Sequence, residues 1–200
     1  MRGIWKRYAV GAIGGLALLW LTGCGGGAAA PSPAPTASSA APVGPSLPRR
    51  PVELRLDGVD PCTLVTAAQR HQLGVNAGTT NSEDYGGPLK GRMCVWSNLP
   101  DSPDNAYTGG AILNHGAEFA SGLEPLRMVD GFAATTTGST GTDPTYYCGM
   151  LVDVAPGQAL SAAYANDSHN YPGMNHQLAC DKAQQLASDM LSTLRASKQR

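Results

Sequence analysis

TYYCGMLVDVAPGQALSAAYAN, residues 145–166, reads as two runs joined by Ala155-Pro156-Gly157-Gln158. In the first run Cys148, Met150, Val152 and Val154 fall on one face and Asp153 on the other, which is the period of a strand with one side turned to a core. Pro-Gly between two such runs is turn chemistry, so the stretch predicts a β-hairpin with Cys148 pointing inward.

The flanking sequence supplies what would cover that apolar face. Asn175 is placed to cap a long amphipathic helix whose Ala179, Ala183, Leu186, Ala187, Met190, Leu191 and Leu194 form one stripe. Near the other end, Asp60 is a natural N-cap and Pro61 occupies a first-turn position, where its missing N–H costs nothing. Thr66-Ala67-Ala68-Gln69 fits a capping box and Gly74 a C-terminal stop, so a short helix is expected from Ala67 to Leu73, with Leu64, Val65 and Ala68 toward the core. Arg92 to Ser97 and Tyr107 to Asn114 read as strands on either side of a long polar loop. Gly116 to Leu126 has helical spacing at Phe119, Leu123 and Leu126, and Asp130-Gly131 is a turn before a strand of small and β-branched residues. Two helical ends and five or six hairpin-linked strands predict an α+β fold, an antiparallel β-sheet with helices packed on one face.

The amino-terminal fifty residues have a different character. Arg2, Lys6 and Arg7 form a basic head before an apolar segment, Tyr8 to Leu21, that is interrupted by Gly11, Gly14 and Gly15. It falls short of the roughly 20 apolar residues of a stable span. Residues 1–23 are therefore expected to be a signal peptide. Leu21-Thr22-Gly23-Cys24 matches the bacterial lipobox, which implies cleavage before Cys24 and a diacylglycerol on its sulfur. At about 0.8 kcal/mol per buried methylene, two or three acyl chains would hold the protein at the cell membrane, facing the extracytoplasmic side. Residues 24–51 are Gly, Ala, Pro, Ser and Thr with hardly a large apolar side chain, too little to offset the entropy of ordering. A disordered tether with a reach on the order of 80 Å is expected there, leaving residues 52–200 as one α+β domain.

Removing the three leader cations leaves 11 Lys+Arg against 15 Asp+Glu, a charge of −4 with no basic run, so nucleic acid and anionic membrane surfaces are expected to be poor partners. Once Cys24 is assigned to lipid, the remaining four cysteines, Cys62, Cys94, Cys148 and Cys180, form an even set suited to two disulfides in an exported domain. Three connectivities are open. The pairing of Cys62 with Cys94 and of Cys148 with Cys180 is preferred because each closes a loop of similar, modest length. A zinc site is disfavoured by the absence of any C-x-x-C pair, so neither metal nor cofactor is expected.

Taken together, D-P-C with a following L-V-T at Asp60 to Thr66, C-x-W at Cys94 to Trp96, the segment Val129 to Ala133, C-x-x-x-V at Cys148 to Val152 and the helix with Cys180, Ala183 and Leu186 resemble a family of actinobacterial lipoproteins catalogued as a domain of unknown function, DUF3558. The resemblance implies an envelope-exposed domain with two disulfides and brings no catalytic residue with it. The loop between Ser97 and Gly110 is longer than that pattern leads one to expect.

No catalytic motif stands out. A G-x-S-x-G elbow fails at Thr137 ahead of Ser139, and phosphate loops, dinucleotide fingerprints and H-E-x-x-H are missing. His71, His115, His169 and His176 are scattered. Only "NDSHNYPGMNH", Asn166 to His176, gathers His, Tyr and amide groups in a loop, so His169, Tyr171 and His176 are the candidate binding residues. Trp96 is expected to be core beside the disulfides. The expected function is a non-catalytic extracytoplasmic binding or interaction module, attached to the membrane through Cys24 and meeting an envelope ligand or protein. The alternatives are a structural envelope protein or a hydrolase using Glu118, Glu124 or Asp130 with a histidine.

Overall fold

The computed structural model describes residues 47–84, 88–98, 105–120, 126–137, 146–166 and 173–199. All lie within one compact unit, Ala40–Arg200. Its strands are β1 (Thr79–Asp84), β2 (Lys90–Ser97), β3 (Asn105–Ile112), β4 (Arg127–Val129), β5 (Phe132–Thr137), β6 (Tyr146–Ala155) and β7 (Gln158–Asn166), and its helices are α1 (Ala67–Leu73) and α2 (His176–Lys198). Two 3-10 turns, Pro61–Leu64 and Ala117–Ala120, complete the set.

The β6–β7 hairpin is the middle of the sheet. Its strands pair from Tyr146 with Asn166 to Ala155 with Gln158, with an irregularity after Asp153, and Pro156-Gly157 makes the turn with Gly157 at φ +67°. The strand order is β1-β2-β3-β7-β6-β5-β4, antiparallel throughout. It is built from two meanders, β1 to β3 and β4 to β7, joined where β3 pairs with β7.

One face carries the main core. Cys148, Met150, Val152 and Val154 lie there with Leu160, Tyr164, Tyr107 and Trp96, against Ala183, Leu186, Ala187, Met190, Leu191 and Leu194 of α2. A fully buried Leu, Ile or Met contributes about 1.5–3 kcal/mol relative to exposure, so this layer dominates the stabilisation. Close approach of helix to sheet depends on Gly109: a Cβ there would stand 2.8 Å from Met190 Cε and 3.0 Å from Trp96 Cζ3. Both expected disulfides are present, and they staple this layer. Cys62–Cys94 ties the Pro61–Leu64 turn to β2, and Cys148–Cys180 ties β6 to α2.

The second face is covered near one end of the sheet. The connection after β3 crosses it, so that Ile112 and Ala117 pack with Leu151 and Ala159, and the Thr135 hydroxyl donates to the Ala117 carbonyl at 3.2 Å. Leu47 packs on the same cluster. From there the chain runs along the end of the sheet as a strap. Arg50 reaches Asp153 at 2.7 Å, the Leu54 N–H donates to the Val154 carbonyl at 2.8 Å, and the Leu56 N–H donates to Gln158 Oε1 at 2.7 Å. The Gln158 amide in turn donates to Asp57, whose pKa falls below the usual carboxylate range mainly through that bond and then through Arg55.

Asp60 caps the Pro61 turn by accepting from Cys62 N–H, and Thr66 with Gln69 forms the reciprocal capping box of α1, closed by Gly74 at φ +69°. Ala68, expected in the core, is exposed, and α1 buries no residue. Its Gln69 instead donates to the Asp189 carbonyl and to Ser192, so polar contacts seat this helix on α2. The helix expected over Gly116 to Leu126 is reduced among the described residues to the turn Ala117–Ala120, and Phe119 and Leu126 are 46% and 45% exposed. Residues 121–125 of that stretch lie outside the described residues. Strands β1 and β4 were not anticipated. Among the described residues no helix is long and apolar enough to cross a membrane.

Candidate functional site

Of the three loop residues singled out in the sequence, His169 and Tyr171 lie outside the described residues. His176 opens α2, where the Asn175 side chain accepts from the Leu178 N–H at 2.9 Å. The imidazole is exposed, and one turn further on Cys180 Sγ lies 3.5 Å from its Nε2. Cys148 Sγ, Cys180 Sγ and a His176 nitrogen all lie within 4.8 Å of one another, a spacing that a soft cation would accept. Both sulfurs are already bonded to each other, however, and a cysteine binds metal as thiolate. In the oxidised protein the trio is a histidine lying against a bridge. His71 is in the last turn of α1, and the His115 ring tilts against Phe119 with centroids 4.8 Å apart, so these histidines occupy separate elements.

A second feature lies on the flank of α2. Asp181, Gln184, Gln185 and Ser188 face Val129 and Asp130 at the end of β4, enclosing a groove of about 310 Å³. Its wall is made by the two-residue turn Asp130-Gly131, both with positive φ, +49° and +85°, where Asp is one of the few side chains tolerated. The turn is held down by α2: Ser188 Oγ donates to Asp130 Oδ2 at 2.8 Å, and Arg195 donates to the Asp130 carbonyl at 2.7 Å. Close by, burial raises the pKa of Asp189, an effect reduced by a hydrogen bond from Gln185 and increased by the charge of Asp130.

This groove is polar and acidic, able to hold a donor-rich group by hydrogen bonds. Its hydroxyl, Ser188, donates directly to the Asp130 carboxylate, and no histidine is among the described residues that line the groove. Glu118 belongs to the turn on the second face, whereas Asp130 lies against α2, so these two carboxylates do not share a cleft. Glu124 lies outside the described residues.

Trp96 is core, as expected: it is fully buried beside Cys94, and Gly78 packs over its indole and the Cys94 sulfur. Its Nε1 has no hydrogen-bond partner among the described residues. The groove itself was not legible in the sequence. Asp181, Gln184, Gln185 and Ser188 are spaced along one side of a helix, but nothing local tells that a three-residue strand lies against them.

Fold and sites together define an antiparallel α+β domain stapled by two disulfides between consecutive cysteines. The chain matches the family described as "Protein of unknown function (DUF3558)" over residues 19–193, and it belongs to that family. No curated protein and no solved structure matches it.

Proposed function

We propose that this chain is a lipid-anchored, extracytoplasmic domain that acts by binding an envelope ligand or protein and not by catalysis. One observation carries the reading: the sequence L-T-G-C at Leu21 to Cys24 precedes a domain in which all four remaining cysteines are joined in disulfides. Disulfides of this kind persist outside the reducing cytosol. The family match takes in residues 21–24 as well as the domain. The groove beside α2, lined by Asp130, Asp181, Gln184, Gln185 and Ser188, offers polar groups suited to holding a ligand by hydrogen bonds, which supports a binding role.

The test has two parts. Mass spectrometry of the amino-terminal peptide from chain produced in its own host should find Cys24 as the first residue with a diacylglyceryl adduct, and Cys24→Ser should release the protein from membranes. Native mass spectrometry of the purified protein should then find a reproducible bound mass or a co-purified envelope partner. An unmodified Cys24 behind an intact leader would overturn the anchoring. A chain that turns over substrates in an unbiased hydrolase screen would overturn the non-catalytic assignment.

A further inference from the structure

Among the described residues the sheet ends in β4 on one side and in β1 on the other. β4 pairs only with β5: Val129 with Phe132, Met128 with Ala133 and Arg127 with Ala134. Across a two-residue turn with both φ positive, the pair next to the turn exchanges hydrogen bonds and the following pair does not. The N–H and C=O of Met128 therefore point away from β5, out of the edge of the sheet, where no described strand takes them up.

Side chains alternate along β4. Val129 is buried in the main core and Arg127 reaches Gln177 of α2, so these two face the helix, while Met128, 49% exposed, faces the other way. Beside the helix-facing side runs one flank of α2: Asp181, Gln184, Gln185 and Ser188 share a helical face and, with Val129 and Asp130, line the groove of about 310 Å³. Both charges in that lining are carboxylates, and both accept from neutral donors, Asp181 from Gln177 at 2.7 Å and Asp130 from Ser188 at 2.8 Å. The neighbouring cations are engaged with other groups: Arg195 with the Asp130 carbonyl and the Phe132 ring, Arg127 with Gln177, and Lys182 with the Tyr164 ring.

We propose that the edge of β4 and this flank of α2 together bind an extended, basic segment of a partner protein, which adds to the sheet beside β4. This rests on the binding role proposed above and names its ligand class. A residue of the segment opposite Met128 exchanges backbone hydrogen bonds with it, which gives affinity, and the groove gives selectivity among side chains. That residue's side chain lies on the face of Met128; the residues on either side of it project toward α2, where a lysine or arginine meets Asp130 and Asp181. The recognised pattern is an apolar residue between two basic ones. The opposite edge, β1, offers backbone groups without this groove.

The purified full chain would be titrated with a capped heptapeptide of alternating lysine and valine, with its glutamate counterpart, and with the lysine peptide N-methylated at its valines. The lysine peptide should bind, more weakly as salt is raised, and should slow amide exchange in residues 126–130, whereas the other two should not bind. Asp130→Asn with Asp181→Asn should weaken binding by about tenfold, and the turn should survive because Asn is equally at home at positive φ. Met128→Pro deletes an N–H that the pairing with β5 does not use, so it should abolish binding while leaving the urea midpoint near the parent's. If that variant fails to fold, the N-methylated peptide on the parent chain decides the same contact. Equal binding of the lysine and glutamate peptides, slowing confined to β1, or full affinity in Met128→Pro would overturn the proposal. Slowing at β4 that grows with chain concentration in the absence of peptide would assign the edge to a second copy and overturn it as well. A lysine peptide that does not bind, on chain that carries a reproducible ligand mass in native mass spectrometry, would overturn the basic segment and leave the binding role standing. The absence of both would overturn both.

Discussion

Removing one disulfide tests the reasoning about what holds this domain together. Each bridge spans a sequence separation of 32, and the two loops, 62–94 and 148–180, do not overlap. Constraint of the unfolded chain by a loop of that length contributes about 3.7 kcal/mol at 25 °C, and because the loops are separate the two contributions add to about 7.4 kcal/mol. That is comparable to the whole stability of an ordinary domain, about 5–15 kcal/mol. The loop contribution is equal for the two bridges, so a difference between them must come from packing. Cys148 and Cys180 are both buried, at 0% and 1% exposure, whereas Cys62 is only partly buried. Cys148→Ala with Cys180→Ala should therefore cost about 4–5 kcal/mol, the loop contribution plus a cavity between β6 and α2. Cys62→Ala with Cys94→Ala should cost somewhat less. Urea unfolding followed by Trp96 fluorescence reads this directly. With a slope of about 1–3 kcal/mol per molar, the midpoint should fall by on the order of 2 M for either pair. A displacement below about 0.5 M for either pair would refute the loop argument, as would a larger loss from the Cys62–Cys94 pair. Dithiothreitol at room temperature should unfold the unsubstituted chain.

Three further outcomes follow from single positions. Met190→Ala empties the space that Gly109 leaves above the sheet and should cost about 2–5 kcal/mol in the same urea assay. Gly91→Ala would drive a Cβ into the Ala111 carbonyl of β3, a backbone contact that no rotamer relieves; a loss of about 1–3 kcal/mol is expected, with faster amide exchange in β1 and β2. Burial raises the pKa of Asp153, against the opposing pull of Arg50 and with a smaller push from Glu118. The folded state then holds this proton more tightly than the unfolded chain, so the contribution of this group to stability increases as pH falls from the raised pKa toward 3.8 and is lost as pH rises through that window. Asp153→Asn should remove this component of the pH dependence. A variant whose midpoint follows the parent's pH profile through that window would contradict it.

What could be read from the sequence depended on whether the governing contacts were local. The β6–β7 hairpin, the two capped starts at Asp60 and Thr66, and the buried stripe of α2 are written in side-chain period and turn residues, and the structure has them where they were expected. Strand β1, TTNSED, has no apolar alternation to announce it. It is an edge strand that pairs with β2 through backbone groups from Thr79–Val95 to Asp84–Lys90, and its formation depends on a neighbour far more than on its own residues. Strand β4 is three residues long, shorter than any window in which a period could be seen.

Ala68 is misread for a physical reason. It has helical spacing to apolar neighbours, but spacing records only which residues would share a face, not whether anything lies against it. Ala68 faces solvent because α1 meets α2 through Gln69. For the candidate site the same limit applies. Local composition marked His176, which the structure places against the Cys148–Cys180 bridge, while the groove between β4 and α2 depends on a hairpin turn and a helix flank separated by fifty residues.

The bridges join each cysteine of the folded domain to its nearest cysteine in the chain, first to second and third to fourth. A polypeptide threaded amino terminus first into an oxidising space presents Cys94 when Cys62 is its one possible partner in the domain, and Cys180 when Cys148 is the one still free. Oxidation in order of arrival thus yields the native set directly. The β3–β7 seam, which no disulfide crosses, can zip up afterwards. If the chain is exported as proposed, this pairing order would call for an oxidant and not for an enzyme that reshuffles wrongly made bonds.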